Sequence, residues 1–352
     1  MPLLVLSMFC FPYYAISGCP SVIFDAPSAL AFLLAFAGSA ASLRFALPFA
    51  GTLALAMPVA RSSHSVPVPQ SGGLFVMASV TAAIVLVGIA FNHAVGVAFV
   101  WLVPALLLAG LGWLDDRIGL PALARLVAYT LISGSAVLSG PVAPAPLTGS
   151  WPLDSALAAC FLVAFINVTN FMDGIDGLVV VQFAPGLLLI GGTAVVDGDA
   201  ATAVRALAVL GGLAGFFVYN RPRARIFLGD SGSVATGFLA GCLLLDHAHT
   251  QGVLAALILP LYFVIDAGWT LARRTLKRER IWEGHRQHFY QRALDGGQSN
   301  WSILVRVGTC NLVLCALSLA AGGAAFASQA ALFALGVACV GALLMSLARG
   351  AR

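Results

Sequence analysis

Charge is what this chain has least of: Asp, Glu, Lys and Arg together make up 9% of its 352 residues. A soluble surface is built largely from those four types, so their scarcity excludes a soluble globular domain. Also missing are repeats of fixed period, low-complexity tracts and linkers, which predicts a single domain over 25–352 behind an apolar segment, 1–24, whose role stays open. No Lys or Arg precedes the apolar run 3–16, unlike a secretory signal peptide. Cys10, Cys19, Cys160, Cys242, Cys310, Cys315 and Cys339 stand singly without metal-ligand spacing and read as small apolar filler. No basic stretch interleaved with aromatics occurs, so nucleic acid is excluded as a partner.

What is present is apolar surface: 60% of residues are hydrophobic and the mean hydropathy is +0.97. That composition predicts an all-α, polytopic integral membrane protein. Runs long enough to cross a roughly 30 Å hydrocarbon core lie near 27–47, 73–92, 95–113, 120–139, 154–169, 178–196, 203–219, 233–246, 252–271, 303–322 and 325–347, about eleven in all. The longer connections, 48–72 and 272–302, leave room for a substrate-shaping surface. Loops at 61–72, 114–119, 170–177, 220–232 and 272–302 carry nearly all the Arg and Lys. The positive-inside rule makes that side cytoplasmic, with the N-terminus outside and the C-terminus inside.

Acids in so apolar a chain mark function by default, and they fall in three places. Asp115 and Asp116 end one span; such a pair is either a cation site, suited to Mg²⁺ with substrate phosphates, or a solvated helix end partly neutralised by Arg117. The run Asn167-Val168-Thr169-Asn170-Phe171-Met172-Asp173-Gly174-Ile175-Asp176-Gly177-Leu178 sets two amides and two carboxylates beside glycines that let backbone approach a phosphate; the bland alternative is a capping cluster. Phe227-Leu228-Gly229-Asp230-Ser231-Gly232-Ser233 resembles a helix N-terminus, whose free amides attract anions while Asp230 could hold a shared metal. The arginines before it, Arg225 included, are phosphate ligands or membrane-side anchors. In the long loop, His285 and His288 lack a third ligand for zinc, and with Arg286 suit phosphate or nucleotide contact. Asp266, inside an apolar helix, reads as a structural contact ahead of a cavity-lining group. Arg61-Ser62-Ser63-His64 carries no distinct chemistry by spacing.

In order and on one membrane face, these motifs resemble the polyprenyl-phosphate N-acetylhexosamine-1-phosphate transferases, from about Arg61 to Arg292. The segment His285-Arg286-Gln287-His288-Phe289-Tyr290-Gln291-Arg292 is closer to the O-antigen-initiating branch than to the peptidoglycan enzyme. It departs from the family where Tyr290 and Gln291 replace histidines, where Ala56-Met57-Pro58 replaces an Asp-x-Pro lead-in, and where Gln70-Ser71-Gly72-Gly73 replaces Arg-Gly-Gly-Gly. The resemblance implies transfer of a sugar-1-phosphate from a UDP-N-acetylhexosamine to undecaprenyl phosphate in a bacterial inner membrane, with release of UMP. It implies Mg²⁺, or Mn²⁺ in its place, on Asp230 with Asp115. Catalysis would fall to Asp115, Asp116 and Asp173, and substrate binding to Asn170, Asp176, Arg225, His285, Arg286 and His288. A homodimer is compatible with it. The rival readings are an ion-coupled transporter, whose acids belong near mid-membrane, and a silent scaffold of a glycan-assembly complex.

Overall fold

The computed structural model describes residues 25–52, 55–56, 68–91, 95–140, 142, 144–145, 147–280 and 284–349. The apolar segment 1–24, the Arg61–His64 stretch with Met57 and Pro58, and Glu283 lie outside them. The chain is all-α, with one two-stranded ribbon among the described residues, and it is a multi-pass membrane protein. The helices among the described residues are α1 (Ala26–Ala46), α2 (Gly72–Ala90), α3 (Val95–Ile118), α4 (Ala122–Leu138), α5 (Trp151–Met172), α6 (Leu178–Val196) and α7 (Ala200–Asn220). They continue as α8 (Asp230–Gln251), α9 (Val253–Ile258), α10 (Leu261–Leu276), α11 (Phe289–Asp295), α12 (Asn300–Ala321) and α13 (Phe326–Arg349). Among the described residues, 7 helices are long and apolar enough to cross a membrane, and α4 is a shorter apolar one. Large apolar side chains face outward, Leu123, Leu131 and Phe326 among them. In water such a surface would aggregate; in lipid it is solvated.

Helix boundaries follow local chemistry. Asp25, Asp199 and Ser299 cap α1, α7 and α12, each accepting from a first-turn amide. The expected span 252–271 is two helices, because Pro260 removes an amide and restrains the residue before it. Helix α8 forms the axis, packed by α2, α3, α5, α6, α7 and α9 and buried almost throughout. Its small residues allow this: a Cβ on Gly73 of α2 would collide with the backbone of Gly232.

Two polar connections are more structured than their composition suggests. The first holds a 3-10 turn (Leu47–Thr52) and strands β1 (Leu55–Ala56) and β2 (Val68–Pro69), paired antiparallel. The Phe227 amide donates to the Pro69 carbonyl (2.7 Å), and the Gly72 and Gly73 amides donate to the carbonyls of Phe227 (3.0 Å) and Leu228 (2.8 Å). This lays the start of α2 along the approach to α8. The second connection contains α11, which packs on α12 and α13.

Candidate active site

The chain direction places the C-terminal ends of α3 and α5 beside the N-terminal ends of α4 and α8. Asp115 and Asp116 come from α3, Arg125 from α4, Asn170 and Asp173 from α5 and the residue after it, and Asp230 from the first turn of α8. Close approach again depends on glycine: a Cβ at Gly112, one turn before the acid pair, would strike the Asp230 carbonyl.

Asp116 holds the end of α8. Its carboxylate accepts from the Asp230 amide at 3.1 and 3.2 Å and lies 3.5 Å from the Ser231 amide. The anion site expected at this helix N-terminus is therefore filled by the protein's own carboxylate. Gly229, at φ 71°, supports the contact: a Cβ there would meet the Gln70 carbonyl and the Asp116 carboxylate. Gln70 also donates through Nε2 to the Asp116 carbonyl at 3.2 Å.

Asp115 is buried. Its Oδ1 accepts from the Leu120 amide (2.6 Å) and its Oδ2 from Arg125 Nη1 (2.6 Å). Arg125 Nη1 also reaches to 3.6 Å of Asp230 Oδ2. Arg125 is thus the cation between the acids, whereas Arg117, the partial neutraliser in the solvated-helix-end alternative, lies over the Trp113 ring at 4.3 Å. Asn170 stands on the other side of Asp230, donating to Ser233 Oγ at 3.0 Å. Burial, and then the charges of Asp230, Asp116 and Asp176, push the Asp173 carboxyl up to about 8. Asp115, Asp116, Asp173 and Asp230 thus crowd four carboxyl groups, in excess, around the Arg125 guanidinium among the described residues.

That excess, presented on hard oxygen donors, fits a divalent cation. Among the described residues no three His, Cys, Asp or Glu side chains form a ready-made metal cluster. Mg²⁺ does not need one: it is bound by one or two carboxylates, waters and substrate phosphates.

The remaining expected residues fall around this centre. Asp176 is buried, and its Oδ2 accepts from the amides of Arg223 (3.0 Å) and Ala224 (3.1 Å). It holds the turn before α8, where Arg223 adopts φ 71°. Asn220 ties the same two loops, accepting from the Gly177 amide and donating to the Ile226 carbonyl. Arg225 is exposed, 5.8 Å over the Tyr219 ring. His288 is buried against Asp266, and the His285 ring lies 4.9 Å from it. Burial, then the charges of His288 and Arg274, push His285 down to about 4, so it is neutral at pH 7. Arg286 pairs with Asp295 at 2.7 Å. Tyr290 connects this loop to the centre: its hydroxyl donates to the Phe171 carbonyl (3.4 Å), in space that a side chain on Gly174 would fill.

Sequence reasoning missed Arg125 and Gln70. Arg125 sits across a turn from the acid pair, ten positions on, and its one signal was its place in the first turn of an apolar helix. The acids gather at one end of the bundle, which does not favour a transporter.

Comparison with known proteins agrees with this arrangement. The model of glycosyl transferase family 4 matches residues 98–248, which contain every acid of the centre but not the histidine loop. The chain is 29% identical over 296 residues to decaprenyl-phosphate N-acetylglucosaminephosphotransferase of Mycobacterium leprae, covering 72% of this chain and 73% of that protein. It is 27% identical over 265 residues to the probable undecaprenyl-phosphate N-acetylglucosaminyl 1-phosphate transferase of Bacillus subtilis, covering 72% and 73%. Phospho-N-acetylmuramoyl-pentapeptide-transferase of Lactiplantibacillus plantarum is 32% identical over 185 residues, or 50% of this chain and 55% of that protein. Motifs, helix arrangement and relatives point the same way, to glycosyl transferase family 4.

Proposed function

We propose that this protein transfers an N-acetylhexosamine-1-phosphate from a UDP-sugar to undecaprenyl or another polyprenyl phosphate, releasing UMP. In a bacterial inner membrane, with the acid-lined end cytoplasmic, this begins a lipid-linked glycan of the O-antigen kind. The observation that carries the reading is the convergence of Asp115, Asp116, Asp173 and Asp230 with Arg125 and Asn170 at one end of the bundle. Names of the relatives, which act on polyprenyl phosphates and N-acetylated sugars, support it.

In the reaction an oxygen of the acceptor phosphate attacks the sugar-bearing phosphorus of the donor, and the bond from that phosphorus to the UMP oxygen breaks. The acceptor phosphate is already largely dianionic at neutral pH, its second pKa being about 6, so positioning and charge screening dominate. Arg125 suits the acceptor: α4 turns Leu123, Leu126 and Leu131 outward to lipid, and the guanidinium stands where a headgroup from that side meets the acids. Asn170 and Asp173 face the nucleotide side of the donor. His288 and Arg286 reach its phosphates or sugar, with His285 as a neutral hydrogen-bonding neighbour. Asp116 and Asp176 hold the two loops that frame the centre. Asp230, with Asp115 and Asp173 beside it, would hold Mg²⁺ or Mn²⁺, which when bound screens the diphosphate charge.

The test is UMP release by purified protein given undecaprenyl phosphate, Mg²⁺ and a panel of UDP-N-acetylhexosamines. Release that requires the lipid, and is abolished by EDTA and by Asp230→Asn, is expected. Near-normal release by Asp230→Asn would remove Asp230 from the metal site, and folded protein that releases no UMP from any donor would refute the transferase.

A further inference from the structure

Asp266 is an expensive residue in its place. It lies on α10 with no exposed surface, and among the described residues no Arg or Lys pairs with it. A buried carboxylate needs compensation, and here it comes from one short stretch at the start of α11. Asp266 Oδ1 accepts from the Phe289 amide (3.1 Å), lies 3.2 Å from His288 Nδ1, and takes a longer contact from Thr270 Oγ1 at 3.4 Å. Its Oδ2 is buried with no hydrogen-bond partner among the described residues. The amide and hydroxyl donors alone would be served as well by a neutral acceptor. Only the imidazole gives a charge here a purpose.

A carboxylate facing Nδ1 fixes the ring: Nδ1 carries hydrogen and Nε2 is left for another partner, and a proton arriving at Nε2 is stabilised by the charge behind it. The ring is also fixed against rotation. Tyr290 stacks on it at 5.7 Å and 10°, and Gln291 Oε1 accepts from the His288 amide at 3.3 Å. Through the Tyr290 hydroxyl this unit is tied to Phe171, two residues before Asp173. The chain Asp266–His288–Tyr290 therefore runs from a buried acid to the helix end that bears Asn170 and Asp173.

We propose that Asp266 is a positioning residue that orients and polarises His288, so that Nε2 meets the donor's diphosphate. The inference rests on the transferase reading and deepens it. It gives the isolated acid a task, and it accounts for a single histidine serving here although Tyr290 and Gln291 occupy the next positions.

The test is equilibrium binding of UDP and of uridine, with Mg²⁺, to wild type, Asp266→Asn, His288→Gln and the double variant. Asn keeps an acceptor for the Phe289 amide and removes only the charge. Expected is UDP binding weakened about tenfold by Asp266→Asn, no further loss when it is added to His288→Gln, and unchanged uridine binding. A purely structural Asp266 would give losses that multiply in the double variant, or uridine and UDP affinities that fall together, and either result overturns the proposal. So does Asp266→Asn binding UDP as wild type does. Wild-type protein that binds neither ligand would instead overturn the transferase reading itself.

Discussion

Removal of Arg125 tests whether the acid cluster needs an internal cation. Arg125→Met keeps an unbranched, helix-favouring side chain on α4 and deletes the guanidinium 2.6 Å from Asp115. A hydrogen bond to a charged group contributes about 1.5–3 kcal/mol, and deleting one partner of a fully buried pair costs about 3–5 kcal/mol. The Arg125 side chain keeps 28% of its exposure against 7% for Asp115, so water screens the pair in part and about 2 kcal/mol is the fitting figure. At roughly 2–4 °C per kcal/mol for a large domain, melting should fall by about 4–8 °C. Buried Cys242, Cys310 and Cys315 supply the assay, since a thiol-reactive fluorogenic dye labels them only on unfolding. In an Asp115→Asn background the same substitution should cost clearly less, because the buried Asp115 carboxylate is no longer stranded and only the longer 3.6 Å contact with Asp230 is lost. Equal falls in both backgrounds would show that Arg125 acts by packing its stem, and the charge argument would be wrong. UMP release should be lost in both, as the acceptor phosphate loses its guanidinium either way.

Further outcomes follow from the same geometry. Gly73→Ala should destabilise by about 3 kcal/mol or more, since its methyl meets the Gly232 backbone and no side chain can yield; Gly110→Ala, with nothing within 4 Å, should be neutral in the same dye assay. Asn caps helices about as well as Asp, so Asp116→Asn should melt within about 2 °C of wild type, by the scaling used above, yet lose tenfold or more in turnover. Unchanged turnover would confine Asp116 to holding α8. His285 is pushed from 6.5 to about 4, so the folded state binds its proton less readily than the unfolded chain. Its contribution to stability is complete above pH 6.5 and is lost as pH falls toward 4. The fall in melting temperature over that window should be smaller in His285→Gln, and identical profiles would contradict the shift.

Helices were legible because lipid demands long apolar runs, and nearly every run expected from hydropathy is a helix within a few residues. The exception, 252–271, contains Pro260, whose effect on backbone is local while hydropathy is summed over a window. At the site, legibility followed chemical rarity. An acid in an apolar chain is conspicuous, so Asp115, Asp116, Asp173 and Asp230 could be chosen one by one and prove to be neighbours. Arginine at the end of a span is common, since the positive-inside rule places it there without any task; nothing distinguishes Arg125 from Arg117 until α4 turns one inward to Asp115 and α3 lays the other over Trp113. Function and capping also use the same carboxylates. In sequence Asp116 reads as a catalytic acid and Asp176 as a substrate ligand, yet each accepts from backbone amides of a loop more than 40 residues away. These long-range bonds bring the three separate motifs to one place. Spacing along the chain reports which groups are present, and only the fold shows which of them also hold the frame.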